Sequence, residues 1–351
     1  MTPTPQQDVT AVIVNYGSAR DTSEGVNRLA GQVAAIMVVD NSHDFADNEQ
    51  ALPGAVLISP ERNLGFGAAI NRAAQQLATR WLLVLNPDVR LKRYCVKHLL
   101  DTSRQLRAPL CGPRFYWDDA CAFELPPAMG HPLWLCSDRH IPDISLTAST
   151  DLTDLAIARH KRFWHQEGPF PEPVLSGACL LFDHDWFVQN NTPLFDEDFF
   201  LYYEDTDLCG RLIRKGVMPV CVPAASAVHY WNQSAEPPEG KAALMQASEK
   251  VFMAKYYPQG APPMPGAKPV TDIIELGVPT AAPSFDLPET TSHLDIGVQD
   301  NFMLFARTPV TAGHFTLPDG LLNKMRPGTY FARAVDTRDN GLQYWRWQKT
   351  T

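Results

Sequence analysis

Residues 9–16 read VTAVIVNY and residues 34–40 read AAIMVVD, and these two apolar runs decide the fold class. Both are rich in β-branched residues along their length, which is typical of strands that are buried on both faces. Residues 55–59, a helical stretch over 67–77 and the run WLLVL at 81–85 continue the pattern. This alternation of strands and helices predicts crossover connections, and therefore an α/β fold with a mainly parallel sheet flanked by helices.

Composition and charge exclude several classes of protein. The 351 residues are 45% hydrophobic and 20% charged, which is ordinary globular composition, and the length suggests two domains. A formal charge of −9 argues against a nucleic-acid partner. No apolar run reaches the ~18–20 residues of a spanning helix. The N-terminus has no signal-peptide pattern, and the seven cysteines form no C-x-x-C pair. We therefore expect a soluble cytoplasmic protein, with room for peripheral contact at the inner face of the membrane.

A boundary near residue 260 divides the predicted domains. The first domain spans residues 1–260 and includes an irregular segment, 113–173, that is rich in Pro, Trp, Phe and His. Residues 257–269 hold five prolines and two glycines, which is typical of a linker. Beyond it, the Asn340-Gly341 turn lies between two β-like runs and predicts a hairpin. We expect 261–351 to form the linker and a small sandwich-like all-β domain, which could support a homo-oligomer.

Regular structure is also predicted between the irregular segment and the linker. Residues 174–182 (VLSGACLLF) and 217–222 are expected strands, and residues 206–215 form a helix that ends before Gly216. Residues 241–256 have the pattern of a long helix.

Polar side chains follow three of the predicted strands. Asn15 and Tyr16 end the first, Asp40 ends the second, and Asn86 and Asp88 follow the fourth. Because ligands bind at the carboxyl ends of parallel strands, these residues predict a nucleotide site along one edge. Asp40 could accept a hydrogen bond from a base or ribose. For Asp40 taken alone, a simple strand-terminating turn is the favoured alternative.

The segment NLGFGAAIN, from Asn63 to Asn71, leads into a predicted helix. Gly65 and Gly67 would let backbone approach a ligand, and a helix N-terminus favours anions. The segment lacks the lysine of a P-loop, so a structural turn is the better interpretation when it is taken alone.

Asp88 is a stronger candidate for metal binding. A carboxylate after a buried strand can help to hold Mg²⁺ or Mn²⁺ against diphosphate oxygens, although a Pro-Asp turn is equally compatible with the sequence. His229 comes later in the chain and could be a further ligand, although a lone histidine is more often structural.

The densest group of acids lies at 194–211, in LFDEDFFLYYEDTDLCGR. Carboxylates between bulky aromatics cannot all face solvent, so some must be partly desolvated. Desolvation raises a carboxyl pKa and suits general-base chemistry. Helix capping is the competing explanation for Asp205.

Seven segments occur together in one order: VIVNY, VVDNS, NLGFGAAIN, LLVLNPDV, SGACLLF, LFDEDFFLYYEDTDLCGRLIRKG and VHYWN. As a set they resemble family 2 glycosyltransferases of the GT-A fold, and the rhamnosyltransferase-like branch most closely, over roughly residues 8–256. The resemblance implies an inverting enzyme that transfers a sugar from a UDP- or dTDP-linked donor. The implied acceptor is a saccharide or lipid-linked hydroxyl in cell-surface polysaccharide biosynthesis.

The resemblance also implies roles for individual residues. Asp205, in the pair with Glu204, would be the catalytic base, and Asp88 with His229 would hold Mg²⁺ or Mn²⁺. The donor site would be formed by Asn15, Tyr16, Asp40, Asn63, Gly65, Gly67, Asn71, Asn86, Gly177 and Ala178. Trp117, Trp134, Trp164 and Trp231 are candidates for acceptor contacts, since long irregular segments often carry binding residues.

One departure from the family leaves an alternative open. The usual Asp-x-Asp metal motif is Asn86-Pro87-Asp88 here, which removes one carboxylate. A catalytically impaired protein that binds nucleotide sugar or carbohydrate therefore remains a second hypothesis. A nucleotidyltransferase is disfavoured because the Gly65 loop has no basic residues to hold a triphosphate. In the C-terminal region, Trp345 and Trp347 could stack on sugars, although a core role is favoured.

Overall fold

The computed structural model of the protein describes residues 6–45, 52–137, 151–230, 238–262, 266–267 and 270–350. The chain divides into two compact units. The first contains Met1–Arg114, Gln166–Ala227 and Gln233–Ala261, and the second contains Phe115–His165, Val228–Asn232 and Pro262–Thr351. Among the described helices, none combines the length and the apolar character needed to cross a bilayer.

The first unit is built on one large sheet. Its strands are β1 (Gln6–Asn15), β2 (Val33–Asp40), β3 (Ala55–Ile58), β4 (Trp81–Leu85), β5 (Val89–Leu91), β6 (Leu110–Tyr116), β7 (Phe170–Pro171), β8 (Cys179–Asp183) and β9 (Val220–His229). The last two residues of β6 and of β9 are counted with the second unit. Its helices are α1 (Ala19–Leu29), α2 (Phe66–Ala74), α3 (Cys95–Leu106), α6 (His184–Gln189), α7 (Glu204–Arg214) and α8 (Pro238–Tyr256), whereas α4 (Pro132–Ser137) and α5 (Leu152–Trp164) belong to the second unit.

The strands follow the order β3-β2-β1-β4-β8-β6-β9-β5, and β7 pairs with β9. β1 pairs in parallel with β2 and β4, and β3 pairs in parallel with β2. The residues of β4 are all buried, as is most of β1, which explains their unbroken apolar sequences. The predicted α/β architecture is therefore present, and the carboxyl ends of β1, β2 and β4 share one edge.

The sheet becomes mixed at β8. This strand runs antiparallel to β4, so that Cys179 lies opposite Leu85. The sequence predicted a strand over 174–182, but β8 begins at Cys179, and residues 174–178 form an irregular segment before it. This difference places Gly177 and Ala178 beside the carboxyl end of β4, because the start of an antiparallel strand lies next to its neighbour's end.

The second unit contains two smaller sheets. Its strands are β10 (Ile273–Gly277), β11 (Ser284–Leu287), β12 (His293–Gly297), β13 (Phe305–Pro309), β14 (Gly313–Thr316), β15 (Gly328–Val335) and β16 (Gly341–Lys349), and its helices are α4 (Pro132–Ser137), α5 (Leu152–Trp164) and α9 (Asp319–Leu322). Five strands form a sheet in the order β10-β16-β15-β12-β13, and β11 pairs with β14. β15 and β16 pair antiparallel, which is the hairpin predicted around Asn340-Gly341.

Aromatic side chains fill the space between the two small sheets. The Phe285 ring lies 5.1 Å from the Trp345 ring and 5.7 Å from the Trp347 ring, between centroids. The two tryptophans are 3% and 1% exposed. The core role favoured from the sequence is confirmed, and their burial removes them as sugar-stacking platforms.

Residues 115–165 belong to the second unit, whereas the sequence placed the irregular segment in the first domain. The reason is visible in the packing. Trp164 lies 5.4 Å from Phe305 between ring centroids, and the Arg307 guanidinium lies 4.8 Å from the Trp164 ring. Glu124 and Arg307 also exchange backbone hydrogen bonds of 2.8 and 2.9 Å.

Candidate active site

The ends of β1 and β2 form one hydrogen-bonded group. Asn15 lies opposite Asp40, and its Nδ2 donates to Asp40 Oδ1 (2.8 Å) and to Asp44 Oδ2 (2.9 Å). Thr22 Oγ1 donates to Asn15 Oδ1 (2.7 Å). Asn15 and Asp40 are fully buried, while Tyr16 at the same edge is 46% exposed. Of the three residues assigned here from the sequence, Tyr16 is therefore the one with an accessible side chain.

The segment from Asn63 to Asn71 directly contacts residues 194–203, which precede α7 and are called the acidic loop below. The Gly65 backbone has φ +81° and ψ −173°, and a Cβ there would lie 2.2 Å from the Phe200 carbonyl oxygen. A Cβ on Gly67 would lie 2.8 Å from the Phe195 Cβ. Both glycines are thus required by close packing against residues 195–200, whatever their role in donor binding.

The two asparagines of this segment are also engaged. Asn63 Oδ1 accepts from the Gly65 N–H (2.9 Å). Asn71 Nδ2 donates to the Phe195 carbonyl (3.0 Å) and to Glu197 (3.0 Å), and its Oδ1 accepts from the Phe195 N–H (3.2 Å). Asn71 therefore fixes the start of the acidic loop against α2.

Asn86 and Asp205 are linked through the residues that precede β8. The Asn86 N–H donates to the Ala178 carbonyl (2.9 Å), and the Gly177 N–H donates to Asp205 Oδ2 (2.9 Å). Asp88 lies two residues beyond Asn86. Asp88 and Asp205 are far apart in sequence, yet this chain of contacts brings their segments to the same edge of the sheet.

Asp205 is held by three donors. Besides Gly177, the Thr206 N–H (2.7 Å) and the Thr206 hydroxyl (3.3 Å) donate to Oδ1. A Cβ on Gly177 would lie 3.4 Å from the Asp205 Cβ, so there is little spare space between the Gly177 backbone and Asp205. Burial raises the pKa of Asp205, and the hydrogen bonds from Gly177 and Thr206 oppose that rise.

Glu204 has a different environment. It is 7% exposed, and its Oε2 has no hydrogen-bond partner in the described part of the chain. Burial, and then the charge of Asp205, raise the pKa of Glu204 to about 8. Because the donors point at Asp205 rather than Glu204, the pair most readily carries its proton on Glu204 and its charge on Asp205. Asp205 is also the more accessible of the two.

Asp196 and Asp207, two other acids of the cluster, are in structural contacts. Lys255 Nζ pairs with Asp196 and, at 2.6 Å, with Asp207 Oδ1. Arg211 Nε donates to Asp207 Oδ2 (2.8 Å), and the Tyr256 hydroxyl donates to Asp207 Oδ1 (2.8 Å). These contacts, which the sequence did not reveal, connect the end of α8 to α7.

The candidate metal ligands lie on different elements. Asp88 is in the turn between β4 and β5, and His229 ends β9, where its ring lies 5.6 Å from the Phe115 ring. In the described residues, no three His, Cys, Asp or Glu side chains form a group that could hold a metal. A single carboxylate beside diphosphate oxygens still fits Mg²⁺ or Mn²⁺, since Mg²⁺ is often held by one or two carboxylates and substrate phosphates.

The four candidate acceptor tryptophans have different surroundings. Trp117 is 2% exposed and lies 6.4 Å from the Tyr330 ring, which makes it a core side chain of the second unit. Trp164 is half-buried, and its Nε1 donates to the Leu125 carbonyl (3.1 Å). Trp134 is partly exposed on α4. Trp231 lies outside the described residues.

Two residues at the site were given no role from the sequence. Asn41 is buried; its Nδ2 donates to the Gly65 carbonyl (3.0 Å), and its Oδ1 accepts from the Leu64 N–H (3.3 Å). Thr206 supplies two of the donors to Asp205. Asn41 stands directly after Asp40 in the quoted motif VVDNS, so its position carried a signal, whereas Thr206 resembles an ordinary helix residue.

A parallel sheet edge with a buried asparagine–aspartate pair, and a helix that starts with two adjacent carboxyl groups, fit a glycosyltransferase of the GT-A type. The chain belongs to glycosyl transferase family 2, whose sequence profile matches residues 10–182.

Two curated relatives extend this comparison. The chain is 30% identical, over 236 residues, to an N-acetylglucosaminyl-diphospho-decaprenol L-rhamnosyltransferase of Mycobacterium tuberculosis, covering 63% of this chain and 74% of that protein. It is 23% identical, over 227 residues, to the low-salt glycan biosynthesis hexosyltransferase Agl10 of Haloferax volcanii, covering 63% and 67%.

Solved structures of other glycosyltransferases are also similar. A Pyrobaculum calidifontis mannosyltransferase in complex with GDP-Man and Mn²⁺ has a TM-score of 0.44 at 15% identity, covering 75% of this chain and 68% of that one. GalNAc-T7 with UDP, GalNAc and Mn²⁺ has a TM-score of 0.47 at 13% identity, covering 95% and 68%.

Proposed function

We propose that the protein is an inverting glycosyltransferase that moves a sugar from a UDP- or dTDP-linked donor to a hydroxyl of a saccharide or lipid-linked acceptor. Its role would be in cell-surface polysaccharide biosynthesis. The name of the 30% identical relative supports a lipid-linked acceptor and a deoxyhexose such as rhamnose. Such an acceptor would place the enzyme at the inner face of a membrane.

The observation that carries this proposal is the hydrogen bonding of Asp205. Three donors favour its charged form, and its neighbour Glu204 takes the proton, so Asp205 can act as the base. Asp205 removes the proton from the acceptor hydroxyl while that oxygen attacks the anomeric carbon. The bond from this carbon to the diphosphate oxygen breaks in the same displacement, which inverts the anomeric configuration.

Asp88 is the residue of the first unit that would hold a divalent cation. When bound, Mg²⁺ or Mn²⁺ would neutralise charge on the leaving nucleoside diphosphate. The donor would contact Tyr16, Asn63, Gly65, Gly67, Asn71, Asn86, Gly177 and Ala178, and the buried Asn15 and Asp40 would hold this edge of the sheet in shape.

The test has two parts. A thermal-shift panel of UDP-, dTDP- and GDP-sugars, with Mg²⁺ or Mn²⁺, should identify the donor by the stabilisation that a bound ligand produces. With that donor, Asp205→Asn should lower the rate of transfer by about 10²–10⁴-fold while the thermal shift persists. Near-normal transfer by Asp205→Asn would refute the base assignment.

The second candidate is a catalytically impaired protein that binds nucleotide sugar on the same fold. Asn86, in place of a carboxylate, is the feature that favours it. A binding protein has no need for a base, so wild type and Asp205→Asn would then show equal donor binding and equally little transfer with every acceptor tested.

A further inference from the structure

The two residues that precede the carboxyl pair of α7 both have a left-handed backbone. Tyr202 has φ +72°, and Tyr203 has φ +64° and ψ −4°. In this conformation the Cβ of an L-residue comes too close to the following carbonyl oxygen, so glycine and asparagine are the residues usually found there. Two tyrosines in succession therefore concentrate backbone strain directly before Glu204 and Asp205.

The chain is fixed on the N-terminal side of this turn. The Phe66 N–H, at the start of α2, donates to the Phe200 carbonyl (2.9 Å). Ser248 Oγ, on α8, donates to the Leu201 carbonyl (2.7 Å). The last two residues before the turn are thus held by helices on two sides of the acidic loop.

The chain is also fixed on the C-terminal side. The Asp207 N–H donates to the Tyr203 carbonyl (2.8 Å), which closes the first turn of α7. The Gly177 N–H donates to Asp205 Oδ2 (2.9 Å) and ties the same turn to the segment before β8. Two residues alone connect these fixed segments, so the change in chain direction has to be made within the two tyrosines.

Ring packing holds the turn in its strained conformation. The Tyr203 ring lies 5.5 Å from the Phe252 ring, and Phe252 stacks on Tyr256 at 4.5 Å, between centroids. The Tyr256 hydroxyl donates to Asp207 Oδ1 (2.8 Å). The rings thus connect the turn through α8 to α7. A glycine in the turn would have neither the ring nor the restricted backbone.

We propose that the left-handed turn at Tyr202 and Tyr203 positions Asp205 against Gly177, at a cost to the stability of the fold. Strain of this kind persists only where the surrounding structure over-determines the backbone. A less restricted turn would let the start of α7 take several orientations, and the carboxyl pair would move with it. The importance of this for catalysis rests on the proposed function, whereas the effect on the position of Asp205 does not.

Paired alanine and glycine variants isolate the effect of the backbone, because both remove the ring and glycine alone removes the strain. In urea unfolding, Tyr202→Gly should have a ratio of folded to unfolded protein about fivefold higher than Tyr202→Ala. The same order is expected for Tyr203→Gly and Tyr203→Ala. If loss of the Tyr203 ring makes its variants too unstable to measure, the Tyr202 pair carries the comparison.

Two further measurements report the position of the base. Hydrogen exchange at the Gly177 N–H should be about tenfold faster in each glycine variant than in its alanine partner, although the glycine variant is the more stable. With the donor and an acceptor identified, kcat should be about tenfold lower in each glycine variant, while KM for the donor stays within about twofold.

A tyrosine away from the carboxyl pair supplies the matched control. Tyr94 has φ +67° and ψ +6°, and it precedes α3 as Tyr203 precedes α7. Tyr94→Gly should also be about fivefold more stable than Tyr94→Ala, by the same ratio of folded to unfolded protein. These two variants should have equal kcat and equal exchange at the Gly177 N–H.

The opposite orders of stability and positioning distinguish this proposal from a purely structural role. If the turn only supported the fold, the more stable glycine variants would exchange the Gly177 N–H no faster and would be at least as active; either result overturns the proposal. Equal stability of the glycine and alanine variants in the turn, beside a normal difference at Tyr94, would also overturn it. If no protein transferred sugar but the exchange difference remained, the proposed function would fail and the positioning of Asp205 would stand.

Discussion

Glu204 and Asp205 are adjacent in the chain, but their hydrogen bonds give them different properties. Asp205 accepts from Gly177 and Thr206, whereas Glu204 Oε2 accepts from none of the described residues. A buried carboxyl oxygen without a donor favours the neutral form of the group. The capping role weighed for Asp205 from the sequence would not require this buried neighbour.

The raised pKa of Glu204 predicts how the free energy of unfolding depends on pH. Below its ordinary pKa of 4.5 the group is protonated in both the folded and the unfolded chain, and its contribution to stability is fully present. As the pH rises to about 8, the unfolded chain loses this proton first, so the free energy of unfolding falls. Glu204→Gln should reduce this fall, as measured by urea unfolding between pH 5 and pH 8.

The activity of the same variant is informative, because Gln resembles the neutral form of Glu204. Transfer by Glu204→Gln should stay within about tenfold of the wild type, in contrast to Asp205→Asn. Unchanged pH dependence of stability in Glu204→Gln would show that this carboxyl group is ionised in the folded protein.

At the scale of an element, α2 depends on the backbone conformation of Gly65. Its φ of +81° and ψ of −173° lie in a region that is essentially restricted to glycine, and a Cβ would meet the Phe200 carbonyl. Gly54 has a similar φ of +82° but no atom within 4 Å of a built Cβ. Gly54→Ala should cost about 1–2 kcal/mol of unfolding free energy, and Gly65→Ala at least twice that.

Urea unfolding of the two variants side by side separates backbone strain from steric overlap. Equal losses would mean that the Phe200 segment can move away at little cost, and that α2 does not restrain the acidic loop.

Helix α8 stabilises the acidic loop from its other side. Ser248 Oγ donates to the Leu201 carbonyl (2.7 Å), and Lys255 bridges Asp196 and the fully buried Asp207. Lys255→Met should lower the free energy of unfolding by about 1–3 kcal/mol, because Asp207 loses a cation while Arg211 remains. Lys250→Met, at an exposed position of the same helix, should change it by less than about 0.5 kcal/mol in the same urea titration.

The elements of the first unit were predictable where the pattern is local. β1, β2 and β4 are continuous apolar runs, and α7 and α8 have clear helical patterns, so their positions followed from the sequence within a few residues. The start of β8 could not be predicted in this way. Residues 174–178 are as apolar as a strand, but contacts with α7, such as that from Gly177 to Asp205, keep them out of the sheet. Long-range pairing of this kind leaves no periodic signal.

At the scale of the whole molecule, the grouping of residues 115–165 with the C-terminal strands could not be predicted from the sequence either. It depends on partners distant in the chain, such as Trp164 with Phe305. The same unit contains a buried ion group in which Asp295 accepts from Arg307 (2.7 Å) and Arg333 (2.9 Å). Alternating strand patterns predicted the strands but could not show that two arginines would share one carboxylate.

The net charge of the molecule bears on donor binding. A chain with a charge of −9 repels a nucleoside diphosphate, so a divalent cation near Asp88 should matter more than it would in a basic protein. We expect chelation with EDTA to reduce the donor-induced thermal shift, and Asp88→Asn to weaken donor binding about tenfold in the presence of Mn²⁺. Asp185→Asn removes an equal charge from an exposed position on α6 and should bind donor like the wild type. Asp88→Asn and Asp185→Asn should not bind the donor equally with and without EDTA. If they did, groups other than Asp88 would offset the repulsion between the acidic chain and the diphosphate.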